Sequence, residues 1–237
     1  MSRLRANHGF TVVEVLVAMS IGLVVITGML TLLNTTTRLN TGVVTKTDAM
    51  QRGRVAMDLL TQQVRSQVCL DRDHPAIVAG DDNSVTFYAD FTDAGRTAKR
   101  RVTFDGKKIT AYRWDAPAAV SPILDTSFPA APTATQLVLE NATRQVDTAN
   151  QPIPFFRYYA YGKDANGILR PDTKLATPLD ADAASRVVRI DISYLALPPK
   201  GSDSAKGVNL SDQVMVRHVD QNAQLDDPAA VPEPNCI

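Results

Sequence analysis

Gly9-Phe10-Thr11-Val12-Val13-Glu14 opens an apolar run that reaches Leu33 without a further charge. Phe10 to Leu33 is 24 residues, about 36 Å of helix at ~1.5 Å per residue, enough to cross a bilayer with tilt. Arg3, Arg5 and His8 precede the run, and no acidic residue does. The N-terminal end is therefore expected to stay cytoplasmic while the rest is exported. Glu14 is the odd residue, because a carboxylate in hydrocarbon costs at least a few kcal/mol. A partner for that charge is expected. A secretory signal peptide would have an unbroken apolar core and an A-x-A-like cleavage site. Asn34-Thr35-Thr36-Thr37 offers no such site. An uncleaved signal anchor fits the hydropathy but leaves Glu14 unexplained.

No proline occurs before Pro75, so helix can continue beyond the membrane. Gly22 and Gly28 are six apart and do not form a G-x-x-x-G packing face. Apolar residues recur at Leu39, Val43, Met50, Met57, Leu60, Val64 and Val68, a single helical stripe. Asp48, Gln51, Asp58, Gln62 and Ser66 fall on the other side. The stripe is expected to be the face on which a globular head packs. Lys46 projects onto it, and Thr35-Thr36-Thr37 is poor in helix propensity, so a bend is expected near residues 34–46. Helix from Phe10 to Leu70 would run roughly 90 Å, which describes a stalk.

From residue 76 the period changes. Ser84-Val85-Thr86-Phe87-Tyr88-Ala89-Asp90-Phe91 alternates, and Asp105-Gly106 is a hairpin turn between apolar-alternating arms. Strands are expected near 84–91, 98–104, 108–114, 136–140, 154–161, 187–197 and 211–218. Residues 115–135 hold Pro117, Pro122, Pro129 and Pro132 and read as a loop. The reading is an α+β fold, with a long N-terminal membrane and stalk helix packed against an antiparallel β-sheet head. Its segments are a leader (1–9), a transmembrane helix (10–33), an amphipathic stalk helix (34–70), a β-rich head (76–219) and an acidic, proline-containing tail (220–237).

The basic leader, the Gly-Phe-Thr junction, the acid five residues after the glycine and the apolar run together resemble the N-terminus of type IV prepilins. The resemblance implies that a membrane prepilin peptidase cuts between Gly9 and Phe10 and N-methylates Phe10. It also implies that Glu14 neutralises a neighbouring subunit's terminal amine in a filament. Each charge would then be paired inside an apolar bundle, where attraction offsets desolvation. Many major pilins carry a proline in the membrane helix, and this chain departs from that habit. Phe155-Phe156-Arg157-Tyr158-Tyr159, Gly167-Ile168-Leu169 and Arg186-Val187-Val188-Arg189-Ile190-Asp191-Ile192 resemble the larger minor pilins and pseudopilins. The PilW-like pilins and the J-type pseudopilins of type II secretion are the nearest. The resemblance implies a single-pass protein of the inner membrane with an extracytoplasmic C-terminal head. It would be assembled into a pilus or pseudopilus with other pilin or pseudopilin subunits through an inner-membrane assembly platform.

Lysine plus arginine equals aspartate plus glutamate at 25 each, which argues against a generally polyanion-binding protein. Basic residues nevertheless gather at Arg96, Lys99, Arg100, Arg101, Lys107 and Lys108 beside Tyr112 and Trp114. A DNA-uptake or adhesive pilin could use such a patch over residues 96–114 for phosphates and bases. A solvated hairpin with charged edges is the commoner explanation. Cys69 and Cys236, the only cysteines, allow one disulfide in an extracytoplasmic location, with two buried thiols as the alternative. A bridge would clamp the tail to the top of the stalk. Asp164-Ala165-Asn166-Gly167 begins like a calcium loop but lacks the later carboxylates, and Asn166-Gly167 reads better as a hairpin turn. His8, His74 and His218 form no metal motif, and no nucleophile or phosphate-loop motif occurs. No cofactor or metal is implied, and catalysis is not expected.

Overall fold

An unbroken backbone ladder carries the chain from the apolar run into the head. In the computed structural model, α1 spans Val12–Arg65 as one 54-residue helix. The model describes residues 11–70, 74–90, 96–118, 120, 123–164, 167–199 and 207–216. The chain divides into two compact units at Thr45 and Lys46.

In the first unit, the apolar side chains of α1 are exposed, including Leu16, Val24, Leu30, Leu39 and Val43. The helix is long and apolar enough to cross a membrane. Residues 34–46 are helical throughout. The hydroxyls of Thr35, Thr36, Thr37 and Thr41 each donate to the carbonyl four residues earlier, at 2.8 to 2.9 Å. Each hydroxyl is thereby satisfied within the helix itself.

In the second unit, α1 buries Ala49, Gly53, Ala56, Met57, Leu60 and Val64. The stripe expected from bulky residues is therefore correct only from Met57 to Val64. Leu39 and Val43 are exposed, and small residues hold the upper contact. Gly53 has a steric reason. A Cβ there would lie 2.3 Å from Leu210 Cδ1 and 2.8 Å from Ala196 Cβ. The Tyr194 hydroxyl donates to the Gly53 carbonyl at 2.8 Å, so backbone touches sheet at this point. The helix ends at Arg65, short of the expected residue 70. Beyond it, Gln67 bridges Ala89 and Val68 N–H donates to Tyr88 O, so the chain extends a sheet instead of another turn.

The first sheet is an antiparallel meander of β1 (Ile77–Gly80), β2 (Ser84–Ala89), β3 (Ala98–Phe104), β4 (Lys108–Asp115) and β5 (Ala134–Glu140), in that order. The second contains β6 (Ala142–Thr143), β7 (Phe156–Lys163), β8 (Leu169–Lys174), β9 (Arg189–Ala196) and β10 (Val208–Met215). Its order is β10-β9-β7-β8, with β6 also pairing with β9. A short helix, α2 (Ala181–Ser185), precedes β9 and is capped by the Asp180 side chain. The strands β1, β6 and β8 lie where the sequence reading places none. The first two are short, and β8 contains Pro171, tolerated because β8 is a sheet edge. The Asp105-Gly106 turn forms as expected, with Gly106 at φ +95 and Asp105 Oδ1 accepting from Lys107 N and Lys108 N. Gly167 likewise adopts φ +78 in the turn from β7 to β8.

The two sheets and α1 share one apolar core. Phe155 lies at its centre, with ring centroids 4.9 Å from Phe104, 4.7 Å from Phe156 and 5.6 Å from Tyr194. These rings join β3 of the first sheet to β7 and β9 of the second.

The Gly53 contact gives a paired test. Gly53→Val overpacks the seam against Ala196 and should destabilise the full-length protein by about 1–3 kcal/mol. Gly42→Ala meets nothing within 4 Å and should stabilise α1 by up to about 1 kcal/mol. Thermal unfolding in detergent reads both, and equal shifts would refute the close-packing account.

Candidate functional site

The first turn of α1 is built by Thr11 and Glu14. Glu14 Oε2 accepts from Thr11 N–H at 3.1 Å and from the Thr11 hydroxyl at 3.0 Å, while Thr11 Oγ1 accepts from Glu14 N–H at 3.3 Å. This reciprocal pattern is a capping box, and a negative charge there also faces the positive end of the helix dipole. The Thr-x-x-Glu spacing is legible in the sequence, yet a reading of charge alone passes over it. Among the described residues, the donors that orient the carboxylate are the Thr11 N–H and hydroxyl, both neutral. Gly9 and Phe10 lie outside the described residues.

Residues of the basic hairpin are brought close in sequence but separated by the strand period. Arg100, Val102 and Phe104 share the core face of β3, and Arg100 is buried. Burial, reinforced by neighbouring Arg113, lowers the Arg100 pKa from its ordinary value. Lys99 and Arg101 point to the other face. Lys99 Nζ donates to Asp125 Oδ1 at 2.8 Å. Arg96 binds the carbonyls of Pro117, Ala118 and Val120 at 2.7 to 2.9 Å. Lys108 pairs with Glu140 at 3.3 Å. Arg101 donates to Ser84 Oγ at 3.3 Å, and Lys107 is exposed. The six basic residues thus do not line one continuous surface.

Asp125 organises the proline-rich loop. It accepts from Tyr88 Oη at 2.6 Å as well as from Lys99, and the Phe128 ring stacks on Tyr88 at 5.9 Å. The hydrogen bond from Lys99, followed by that from Tyr88, holds the Asp125 carboxyl below its usual range. The buried hydroxyls of Tyr158 and Tyr194 are raised in pKa chiefly by desolvation. Asp164 is engaged by Ile168 N–H and by Arg170 Nε, the latter at 2.9 Å, in keeping with a turn instead of a cation loop.

Cys69 is disulfide-bonded. Cys236, Asp220 and His218 lie outside the described residues, as does His8. Among the described residues no group of three or more His, Cys, Asp or Glu side chains could hold a metal ion. A cleft of about 470 Å³ opens beside Asp81, Asp82, Ser84, Arg101 and Thr177. Its carboxylates already bind the chain: Asp81 accepts from Asn83 N, Ser84 N and Ser84 Oγ, and Asp82 accepts from Thr177 Oγ1.

Asp125 gives a pH test with a definite sign. Its folded pKa is lowered, so its stabilisation is complete above the ordinary carboxylate value of 3.8 and is lost as pH falls through the lowered value. Asp125→Ala removes the shared acceptor of the Tyr88 hydroxyl and Lys99 Nζ and should cost about 1–3 kcal/mol. Hydrogen exchange over residues 123–128 should rise in that variant at neutral pH, and in the parent only under acid conditions. Unchanged exchange in the variant would remove Asp125 as the anchor.

Residues 4–30 match a family model described as the prokaryotic N-terminal methylation motif. No curated protein matches the chain in sequence. Among solved structures, the chain is similar to a chain of the GspK-GspI-GspJ complex from the enterotoxigenic Escherichia coli type 2 secretion system. Identity is 13%, coverage is 73% of this chain and 97% of that one, and the TM-score is 0.35. A likeness at that level assigns no partner to this chain. The motif match spans Gly9, Phe10, Thr11 and Glu14 and the apolar turns that follow, so the N-terminal segment of this protein is prepilin-like.

Proposed function

We propose that this protein is a pilin-type subunit that acts by assembly. It is inserted as a prepilin, cut between Gly9 and Phe10, N-methylated on Phe10, and packed through α1 into a filament. The observation that carries this reading is the methylation motif at residues 4–30, set on a membrane-length helix whose apolar side chains are exposed. Exposed apolar side chains of a membrane helix require lipid or other helices, and a filament core supplies the latter.

Within this class, we place the chain as a minor pilin of the tip or initiation complex, because a large two-sheet head fits poorly in a uniform shaft. A J-type pseudopilin of type II secretion is the alternative assembly. Its partners would be other pilin or pseudopilin subunits, the prepilin peptidase and the inner-membrane platform, with the head outside the cytoplasm. Any bond-breaking at Gly9-Phe10 belongs to the peptidase. Binding of nucleic acid through residues 96–114 is not favoured, since Arg96, Lys99 and Lys108 are already engaged within the head. Cys69 and Cys236, as the two cysteines, are taken as partners.

Mass spectrometry of protein purified from membranes should find an N-terminus at methylated Phe10, and an intact Met1 would overturn the processing pathway. A non-reducing peptide map of the same sample should join Cys69 to Cys236. Glu14→Ala should be cleaved normally yet fail in assembly. Removing one member of a buried ion pair costs about 3–5 kcal/mol, so filament incorporation should fall by about two orders of magnitude or more. Normal incorporation of Glu14→Ala would refute its role as counter-ion.

A further inference from the structure

We infer that the groove between α1 and β5 receives an extended, uncharged segment of another protein chain, which adds a strand to the first sheet along Ala134–Leu137. This goes beyond the assembly role and does not depend on it.

β5 is the last strand of the first sheet, with β4 as its neighbour. Its pairing with β4 shifts register between Ile109 and Thr110, so Val138 bulges without a partner on β4. Leu137 and Leu139 are two apart and would share one face of a regular strand. At the bulge they part: Leu139 is 5% exposed, whereas Leu137 is 50% exposed. Val55 of α1 is 60% exposed. Val55, Leu137, Val138 and Leu139 line a mainly apolar groove of about 390 Å³.

The strand edge decides the form of the occupant. Among the described residues, no backbone group outside β4 hydrogen-bonds to residues 134–139. Water meets those outward groups while the groove is open, and an occupant that displaces the water must supply partners in its place. An extended backbone offers donors and acceptors at strand spacing. A helix does not, because its own ladder has already paired them. Ala134–Leu137 pairs with β4 in continuous register and forms the regular part of the edge, which the bulge then ends. Other edges of the head are protected by the chain itself. Gly80 O of β1 accepts from Leu179 N–H, and β8 carries Pro171 between Arg170 and Asp172.

The rim decides its composition. Arg52 is held by Asp48 at 3.1 Å and by Leu197 O at 3.2 Å, and Lys108 pairs with Glu140 at 3.3 Å. These rim charges are answered within the chain. A charged residue laid on Val55 and Leu137 would therefore lose its water without gaining a counter-ion. The fitting occupant carries β-branched apolar side chains at alternate positions.

The probe is the capped peptide acetyl-Thr-Val-Thr-Val-Thr-Val-Lys-amide, with its lysine at the end for solubility. It is added to the full-length protein in lipid nanodiscs, and hydrogen exchange is read over residues 134–140. At a peptide concentration about ten times its Kd, the outward-facing amides should exchange about tenfold more slowly. Leu137→Asp and Val55→Asp, both at exposed positions, should each weaken the peptide by about tenfold or more while exchange in β2 and β3 stays as in the parent. The same peptide N-methylated on alternate amides should give no protection, because it lacks the donors for the ladder. Absence of protection at every soluble peptide concentration, or equal protection by the N-methylated peptide, would overturn strand addition. Unchanged affinity in both aspartate variants would overturn the groove as its seat. Protection of the parent without peptide would also overturn the proposal, by giving the edge to a second copy if it rises with protein concentration and to a segment of this same chain if it does not.

Discussion

The close approach of α1 to the second sheet at Gly53 is the constraint on which the head depends. Without a side chain at that position, the helix backbone can receive the Tyr194 hydroxyl and sit against Ala196 and Leu210. Tyr194 in turn stacks on Phe155, and Phe155 on Phe104, so one line of contacts joins the helix, the second sheet and the first. Close packing of this kind tolerates little change in volume at its centre. The head core is therefore not a sheet onto which a helix is laid. It is a core whose one wall is the second half of α1.

That arrangement gives the single helix two different surroundings. Before Thr45 its large apolar side chains are exposed, while Ala49, Ala56, Met57, Leu60 and Val64 are buried in the head. The same element can thus present a membrane-length surface at one end and complete a soluble core at the other. The capping box at Thr11 and Glu14 starts this helix and fixes where its one acidic group stands. Its orientation is supplied by the Thr11 N–H and hydroxyl.

Charge in the head is distributed by strand geometry. The run Lys99-Arg100-Arg101 looks like a patch when written as letters, yet alternate residues face opposite sides of β3. Arg100 enters the core face, Lys99 meets Asp125, and Arg96 gathers three carbonyls. The proline-rich loop is held in the same way, by one carboxylate accepting from a lysine and a tyrosine distant in sequence. On the second sheet, Arg157 and Arg189 share the buried Asp191 carboxylate.

Periodic and local features were legible in the sequence. The apolar run, its basic flank, the Thr11-x-x-Glu14 spacing, the Asp105-Gly106 turn and the main alternating strands all act over a few residues. Physical rules of hydropathy, capping and turn geometry reach that far. The stripe on α1 was only half legible, because hydrophobicity draws attention to Leu39 and Val43 and away from Ala49 and Gly53. Which residues touch is settled by how closely two surfaces approach, and that distance is not written in either segment alone. The short strand β6 and the edge strand β8 exist because neighbouring strands offer free backbone groups, not because their own sequences demand extension. By itself, then, the sequence determined the membrane-length helix, its acid at the first turn and an antiparallel β head. Only the tertiary structure decided where the helix enters the core, which cations are engaged within the head and what holds the proline-rich loop, because each depends on contacts between residues far apart in the chain.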